Sequence, residues 1–311
     1  VSSILYLVAG LLILILGGEF LVKGSVGLAV KMKVSMVVIG LTVVSFATSA
    51  PELIVSVYAA LSDHPDIALG NVIGSNIANI SLVLGLTALI FPLGFQKRMY
   101  TVDVPLMLFA SALLGIFLYN DYTLRTWEGI TFVVLLSIMT YMMIRNSRKE
   151  QKANGVVLEV SMKMSKILLF LLIGGACLYF GSRLLVDGAT VLARNMGVSE
   201  RVISVSIIAF GTSVPELAAS IIAALKKEKD LSIGNLIGSN IFNIFAVLGI
   251  TSIIHPISIV DPVLLSNDIW WMFGIALAMY PLMFLFSKRQ IGRVEGFLLF
   301  ATYITYMSFL F

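Results

Sequence analysis

Two segments of this 311-residue chain recur at one fixed spacing, and that duplication constrains the fold more than any other feature. Thr48-Ser49-Ala50-Pro51-Glu52 returns as Thr212-Ser213-Val214-Pro215-Glu216. Gly70-Asn71-Val72-Ile73-Gly74-Ser75-Asn76-Ile77-Ala78-Asn79-Ile80 returns as Gly234-Asn235-Leu236-Ile237-Gly238-Ser239-Asn240-Ile241-Phe242-Asn243-Ile244. Every residue lies 164 positions from its counterpart in both motifs, which marks a duplicated unit.

The surrounding sequence is that of a membrane protein. Apolar residues make up 59 % of the chain and charged residues 12 %, about half the share of a soluble domain. Apolar runs long enough to cross a bilayer as helices fall at roughly 3–30, 35–61, 67–91, 103–120, 127–145, 165–192, 198–225, 231–254, 267–287 and 292–311. The duplication divides these ten into a first unit over 1–145 and a second over 165–311. The polar stretch 146–164 between them reads as a cytoplasmic linker. Five spans is an odd number, so the second unit enters the bilayer from the opposite side. The predicted fold is an all-α membrane protein of ten transmembrane helices, arranged as two inverted-topology repeats with broken helices at a central ion site.

Charge distribution sets the orientation. One set of loops carries Lys31, Lys33, Lys97, Arg98, a cluster from Arg145 to Lys166, Lys226, Lys227, Lys229, Lys288, Arg289 and Arg293; the other carries Arg125, Arg194 and Arg201. The positive-inside rule puts both termini outside. The net charge of +4 therefore reflects topology, and nucleic acid is not an expected partner. Asp63, Asp66, Asp261 and Asp268 fall in outside loops and read as solvated loop charge. Trp127, Trp270 and Trp271 fall at span ends, where aromatic residues favour the interface. Cys177 is the single cysteine and excludes an internal disulfide. The first span has no basic n-region or cleavage signature and reads as a mature helix. It carries Glu19 and Lys23; the sixth carries Arg183 and Asp187 at the corresponding positions with the signs exchanged. Each reads as a locally neutralised i,i+4 pair.

The two Pro-Glu motifs point to cation binding. Pro51 deprives the Ala47 carbonyl of its helical donor, and Pro215 does the same to Gly211. Broken helices at membrane depth are tolerated where freed backbone lines a cavity. Thr48, Ser49, Thr212 and Ser213 add hydroxyl oxygens beside each break. Glu52 and Glu216 fall in the first turn of each resumed helix, where negative charge is favoured. A carboxylate inside an apolar span is costly and is usually retained for function. In the second motif, Ser75 and Asn79 are i,i+4 and share a helix face, as are Ser239 and Asn243. Asn71, Asn76, Asn235 and Asn240 read as bonding backbone or neighbouring helices, and the Gly70/Gly74 and Gly234/Gly238 pairs as permitting close helix packing. His64 and His255 stand apart, so zinc and copper are poor matches. An all-oxygen site suits calcium or sodium. With both glutamates ionised the site is −2: one calcium neutralises it, and three sodium ions make it +1. Such a cavity crosses a bilayer more readily loaded than empty.

These motifs together resemble the calcium/cation antiporter superfamily, and within it the prokaryotic type of sodium/calcium exchanger. The resemblance covers essentially the whole chain, with the repeat motifs at 42–52 and 70–80 and at 206–216 and 234–244. It implies ion coordination by Glu52, Glu216, Thr48, Thr212, Ser49, Ser213, Ser75, Ser239 and Asn79, with backbone carbonyls contributed around Ser45 and Ala209. Asn243 stands where potassium-dependent members carry aspartate, which argues against potassium co-transport. Ser45-Phe46-Ala47-Thr48 departs from the commoner Ala209-Phe210-Gly211-Thr212. The implied activity is sodium-for-calcium antiport by alternating access across a prokaryotic plasma membrane, electrogenic, with several sodium ions per calcium. The resemblance further implies that the first and sixth spans slide against the core. No cofactor, protein partner or enzymatic activity is implied. A proton- or potassium-coupled exchanger, a channel, and an intramembrane enzyme with paired glutamates are the alternative readings.

Overall fold

The computed structural model describes residues 2–153, 162–197, 209–285 and 289–310. Apolar sequence makes long helices: α1 (Ser2–Met32), α4 (Pro65–Ile90), α5 (Met99–Asp121), α6 (Thr126–Ala153), α7 (Met164–Asn195) and α9 (Lys229–Ile254). All six are long and apolar enough to cross a membrane. A seventh candidate is bent by 46° between α2 (Met36–Thr48) and α3 (Ala50–Leu61). Shorter are α8 (Val214–Leu225), α10 (Ile269–Leu285) and α11 (Arg293–Leu310). The fold is that of a multi-pass helical membrane protein. The first half of the expected seventh span, and residues 206–208 of the second Pro-Glu motif, lie outside the described residues. Helix α6 continues through Ala153, so the expected linker 146–164 begins as helix.

Position in the bundle follows from burial. The hydropathic cores of α4 and α9 are 78 % and 83 % buried, against 28 % for α1, α6 and α7, so the two helices carrying the Gly-Asn motifs form the centre. The outer faces display Ile4, Leu5, Leu11, Leu12 and Leu172, as a lipid-facing surface should. Helices α1 and α7 pack antiparallel along most of their length through glycines seven residues apart. Gly10, Gly17 and Gly24 lie against Leu185, Leu178 and Leu171; Gly174, Gly181 and Gly188 lie against Leu21, Leu14 and Leu7. Where lipid replaces water, such close backbone approach substitutes for the hydrophobic drive.

The central helices are clamped the same way. A Cβ built on Gly234 would sit 2.6 Å from the Val37 carbonyl, and one on Gly40 would sit 2.6 Å from the Leu231 carbonyl. The Ser45 hydroxyl donates to the carbonyls of Gly40 (2.8 Å) and Asn235 (3.0 Å), tying α2 to α9.

Corresponding irregularities appear in both halves. Wide π-helical turns occur at Ala78–Leu84 and Asn243–Leu248, and again at Met99–Asp103 and Leu264–Asp268. Four two-residue strands, which the all-α reading does not contain, join the halves: β1 (Leu93–Gly94) pairs with β4 (Gln290–Ile291), and β2 (Thr123–Leu124) with β3 (Ile257–Ser258). Helices α6 and α11 begin with a glutamate bonded to the backbone N–H three residues earlier: Glu128 to Arg125 (2.7 Å) and Glu295 to Gly292 (2.9 Å). Two of the loop aspartates are structural rather than solvated. Asp66 accepts from the N–H groups of Val260 (2.8 Å) and Asp261 (3.0 Å), and Asp268 is buried beside Asn267. Lys23 and Lys226 both lie 3.5 Å from Glu19, so this charge is shared between its own helix and the end of α8.

Replacing Gly234 by Ala forces a methyl against the backbone of α2. Overpacking of this kind costs about 1–3 kcal/mol. A clear fall in the melting temperature of the detergent-solubilised protein is expected, and an unchanged one would contradict the clamp.

Candidate cation-binding site

Each Pro-Glu motif interrupts its helix at a serine. Ser49 (φ −86°, ψ 5°) separates α2 from α3, and Ser213 (φ −87°, ψ −1°) precedes α8. Pro51 and Pro215 occupy the first turns, as a ring with fixed φ and no N–H favours. The Gly211 carbonyl, which Pro215 cannot serve, accepts the Ser182 hydroxyl of α7 at 2.8 Å. The counterpart of Ser182 in the first half is Gly18, which has no donor to offer Ala47.

The resumed helices direct Glu52 and Glu216 into the interior, where both are 0 % exposed. Each half reaches across to the other. Thr48 Oγ1 lies 3.3 Å from Ser239 Oγ, and Ser75 Oγ lies 3.4 Å from Thr212 Oγ1, the same contact made twice at the 164-residue offset. The Ser49 hydroxyl points to Glu216 Oε1 at 3.4 Å. Ser45, Thr48, Ser49, Ser75, Ser213, Ser239, Asn79 and Asn243 are all buried, and Thr212 is partly exposed. The Ser45 hydroxyl faces α9 and is committed to two carbonyls, while its own carbonyl accepts the Ser49 N–H at 2.9 Å and lies 3.4 Å from Thr48 Oγ1. Ala209 begins a short helical turn, Ala209–Gly211.

The interior is rich in polar atoms without partners. Both carboxylate oxygens of Glu52, Glu216 Oε2, both amide atoms of Asn79, Asn243 Oδ1 and Ser213 Oγ are buried with no hydrogen bond among the described residues. Buried polar groups are otherwise almost always paired. A carboxylate enclosed in apolar surroundings costs several kcal/mol unless compensated. An arrangement this unsatisfied fits a hard cation held by oxygen. No cluster of three or more His, Cys, Asp or Glu side chains occurs among the described residues, so thiolate- or imidazole-rich metal chemistry is absent from them.

The four outer asparagines divide. Asn71 Nδ2 donates to Ser56 Oγ (3.0 Å) and the Glu52 carbonyl (3.3 Å). Asn76 Nδ2 donates to the Asn240 carbonyl (3.3 Å), and Asn240 Nδ2 to the Leu236 carbonyl (2.8 Å). These three act as structural braces, as their sequence setting implies. Asn235 differs: its Nδ2 donates to Ser220 Oγ, but its Oδ1 accepts from Thr48 at 3.2 Å, inside the candidate site. Asn243 Nδ2 donates to Asn76 Oδ1 at 3.0 Å, which turns the unpaired Asn243 Oδ1 away from that bond. Asn79 and Asn243 both fall at the start of π-helical turns. Such turns are frequent at functional positions.

A multi-pass membrane protein with broken helices and an enclosed acidic, all-oxygen interior is a transporter rather than an enzyme. The sequence model described as sodium/calcium exchanger protein matches residues 2–145 and 166–311. Inner membrane protein YrbG of Escherichia coli is 35 % identical over 98 % of this chain and 95 % of its own length. Sodium/calcium exchanger MaX1 of Methanosarcina acetivorans is 30 % identical over 99 % and 98 %. Among solved structures, the sodium-calcium exchanger NCX_Mj, soaked with Na+ and Ca2+, superposes with a TM-score of 0.84 at 30 % identity, covering 100 % of this chain and 99 % of that one. The chain belongs to the sodium/calcium exchanger family.

The Ser182–Gly211 bond and Pro215 form one testable unit. Ser182→Ala leaves a carbonyl unpaired, at a cost of about 1–3 kcal/mol. Pro215→Ala supplies the missing N–H and makes that bond redundant. A double-mutant cycle on melting temperature should therefore show the Ser182 loss shrinking in the Pro215→Ala background; additive losses would contradict the assignment.

Proposed function

We propose that the protein exchanges several Na+ for one Ca2+ across a prokaryotic plasma membrane, electrogenically and by alternating access. The observation that carries this reading is the set of unpaired buried oxygens around Glu52 and Glu216. Calcium is held at about 2.3–2.6 Å by six to eight oxygens, so an octahedral cage has oxygen–oxygen edges of about 3.3–3.7 Å. The cross-half contacts at 3.3 and 3.4 Å are close to those edges and well above the usual hydroxyl hydrogen-bond length. Calcium and sodium are substrates in this scheme, passing through rather than residing.

In this reading Glu52 and Glu216 supply the two negative charges. Thr48, Ser49, Ser75 and Asn79 from the first half, and Thr212, Ser213, Ser239 and Asn243 from the second, supply neutral oxygens, with carbonyls from Ser45 and Ala209. Asn243 contributes an amide, so the site stays at −2 and one Ca2+ balances it. Three Na+ would leave it at +1, which makes the exchange electrogenic. Ten spans in two inverted five-helix units over 1–145 and 165–311, joined by 146–164, present the site alternately to each side, with both termini outside. The crossed pairing of β1 with β4 and β2 with β3 is consistent with a two-fold relation between the units. MaX1 and NCX_Mj bear the name sodium/calcium exchanger, which favours sodium as the coupling ion.

In proteoliposomes, calcium uptake should follow an outward sodium gradient, respond to membrane potential, and persist when potassium and pH are varied independently. Glu52→Gln and Glu216→Gln each remove half the site's charge. Breaking buried charge compensation costs about 3–5 kcal/mol, so uptake should fall by at least about a hundredfold. Uptake that ignores sodium but follows pH or potassium would replace sodium as the coupling ion, and unimpaired uptake in either variant would refute the site.

A further inference from the structure

We propose that the basic end of the bundle holds an anionic phospholipid, its phosphate headgroup in a cavity between α1, α5 and α6 and an acyl chain in the groove between α5 and α6. The site lies away from the buried oxygen cluster and does not depend on which ions are exchanged.

The cavity has a volume of about 1000 Å³ and is enclosed by the end of α1, the start of α2, the approach to α5, the end of α6 and the start of α9. Five cations line it, Lys31, Lys33, Arg98, Arg148 and Lys152, against two acids, Glu150 and Asp230. Asp230 already accepts from Gln96 Nε2. Among the described residues, Lys31, Lys33, Arg148 and Lys152 form no ion pair with a carboxylate. Arg98 reaches Asp103 Oδ1 only at 3.7 Å, and its Nη1 is buried with no hydrogen-bond partner among them. The protein thus leaves an excess of positive charge uncompensated, and guanidinium and ammonium groups gathered in this way suit a phosphate.

The wall of the cavity is fixed in place. The Ser35 N–H donates to the buried Ser147 Oγ at 2.8 Å, and Arg148 Nε donates to the Met32 carbonyl at 3.1 Å. Both bonds fasten the end of α6 to the connection between α1 and α2, and the second holds the Arg148 guanidinium at the cavity.

Charge alone fits any phosphate; the groove commits the site to a lipid. Arg98 also lines an apolar depression of about 490 Å³. Its sides are Val102 and Phe109 of α5 and Ile138 and Met142 of α6, all exposed, and its floor is the buried Phe245 of α9. That Phe245 reaches this groove shows that α5 and α6 part here. A soluble phosphate leaves the groove empty, whereas a phospholipid fills both parts, with Arg98 at the junction of headgroup and chain. This end of the bundle carries the basic loops, the side on which the positive-inside rule sets the cytoplasm. Basic cavities between membrane helices at that surface suit anionic headgroups.

The test is thermal melting of the full chain in an uncharged detergent, titrated with phosphatidylglycerol. A ligand that binds only the folded protein raises the melting temperature, so saturable stabilisation is expected, with none from phosphatidylcholine of the same chains. Arg148→Gln combined with Lys152→Gln, both exposed side chains, should raise the half-saturating phosphatidylglycerol concentration at least about tenfold, at roughly fivefold per charge. Ile138→Trp fills the groove without altering the charge and should raise it as well. Equal stabilisation by phosphatidylcholine would make the lipid an ordinary annular one, and equal stabilisation by inorganic phosphate would make the cavity a soluble-anion site; either result overturns the proposal. An unchanged half-saturating concentration in either variant overturns it too, the first by removing the headgroup contacts and the second by removing the chain.

Discussion

The carboxylates of Glu52 and Glu216, without solvent exposure and enclosed within an apolar helical bundle, set the terms for the rest of this structure. Taking such groups out of water is among the largest penalties a fold can carry. The chain meets it with helices broken at Ser49 and Ser213, so that each glutamate lies in a fresh helical first turn, where the backbone dipole favours negative charge. Ser213 Oγ, the Asn79 amide and Asn243 Oδ1, like the oxygens of Glu52 and Glu216 Oε2, are left without hydrogen-bond partners among the described residues. That combination is unfavourable for a static core and suited to an interior that receives cations.

Neither half builds this interior alone. Thr48 meets Ser239, Ser75 meets Thr212, and Asn76 bonds Asn240 and Asn243, each contact spanning the two copies of the motif. The short strand pairs at the ends of the bundle make the same exchange. Close approach is what permits it. Gly40 and Gly234 bring α2 against α9, and heptad-spaced glycines bring α1 against α7. The duplication is nonetheless imperfect where it matters chemically. Ser45 has a hydroxyl where Ala209 has none, Ser182 serves a freed carbonyl where Gly18 cannot, and Asn235 and Asn71 turn their amides to different partners. The two copies of the motif thus offer non-equivalent oxygen sets.

Much of this was legible in the residues. The motif repeats mark the broken helices, and Thr48, Ser49, Glu52 and their counterparts stand out because polar groups in apolar spans have few innocent explanations. The heptad-spaced glycines of α1 and α7 were a readable signal too, since small residues at regular spacing mark close helix contact. Other features left no mark. Asp66 and Asp268 looked like solvated loop charge, but loop aspartates become caps or buried acids according to what folds onto them. The π-helical turns at Asn79 and Asn243 carry no distinctive residue pattern. Asn235 was indistinguishable from three other motif asparagines, because the direction of an amide is decided by its neighbours.

The sequence by itself determined the membrane setting, the duplication, the helix breaks and the inventory of oxygen donors, since each follows from local composition, proline chemistry or fixed spacing. Tertiary structure alone decided which donors face one another. Ser220 and Thr48 lie far from Asn235 in the chain or on another helix, and only packing brings one to its nitrogen and the other to its oxygen. Contacts between residues more than a hundred positions apart depend on helix crossings and backbone clearance, which no local stretch of sequence encodes.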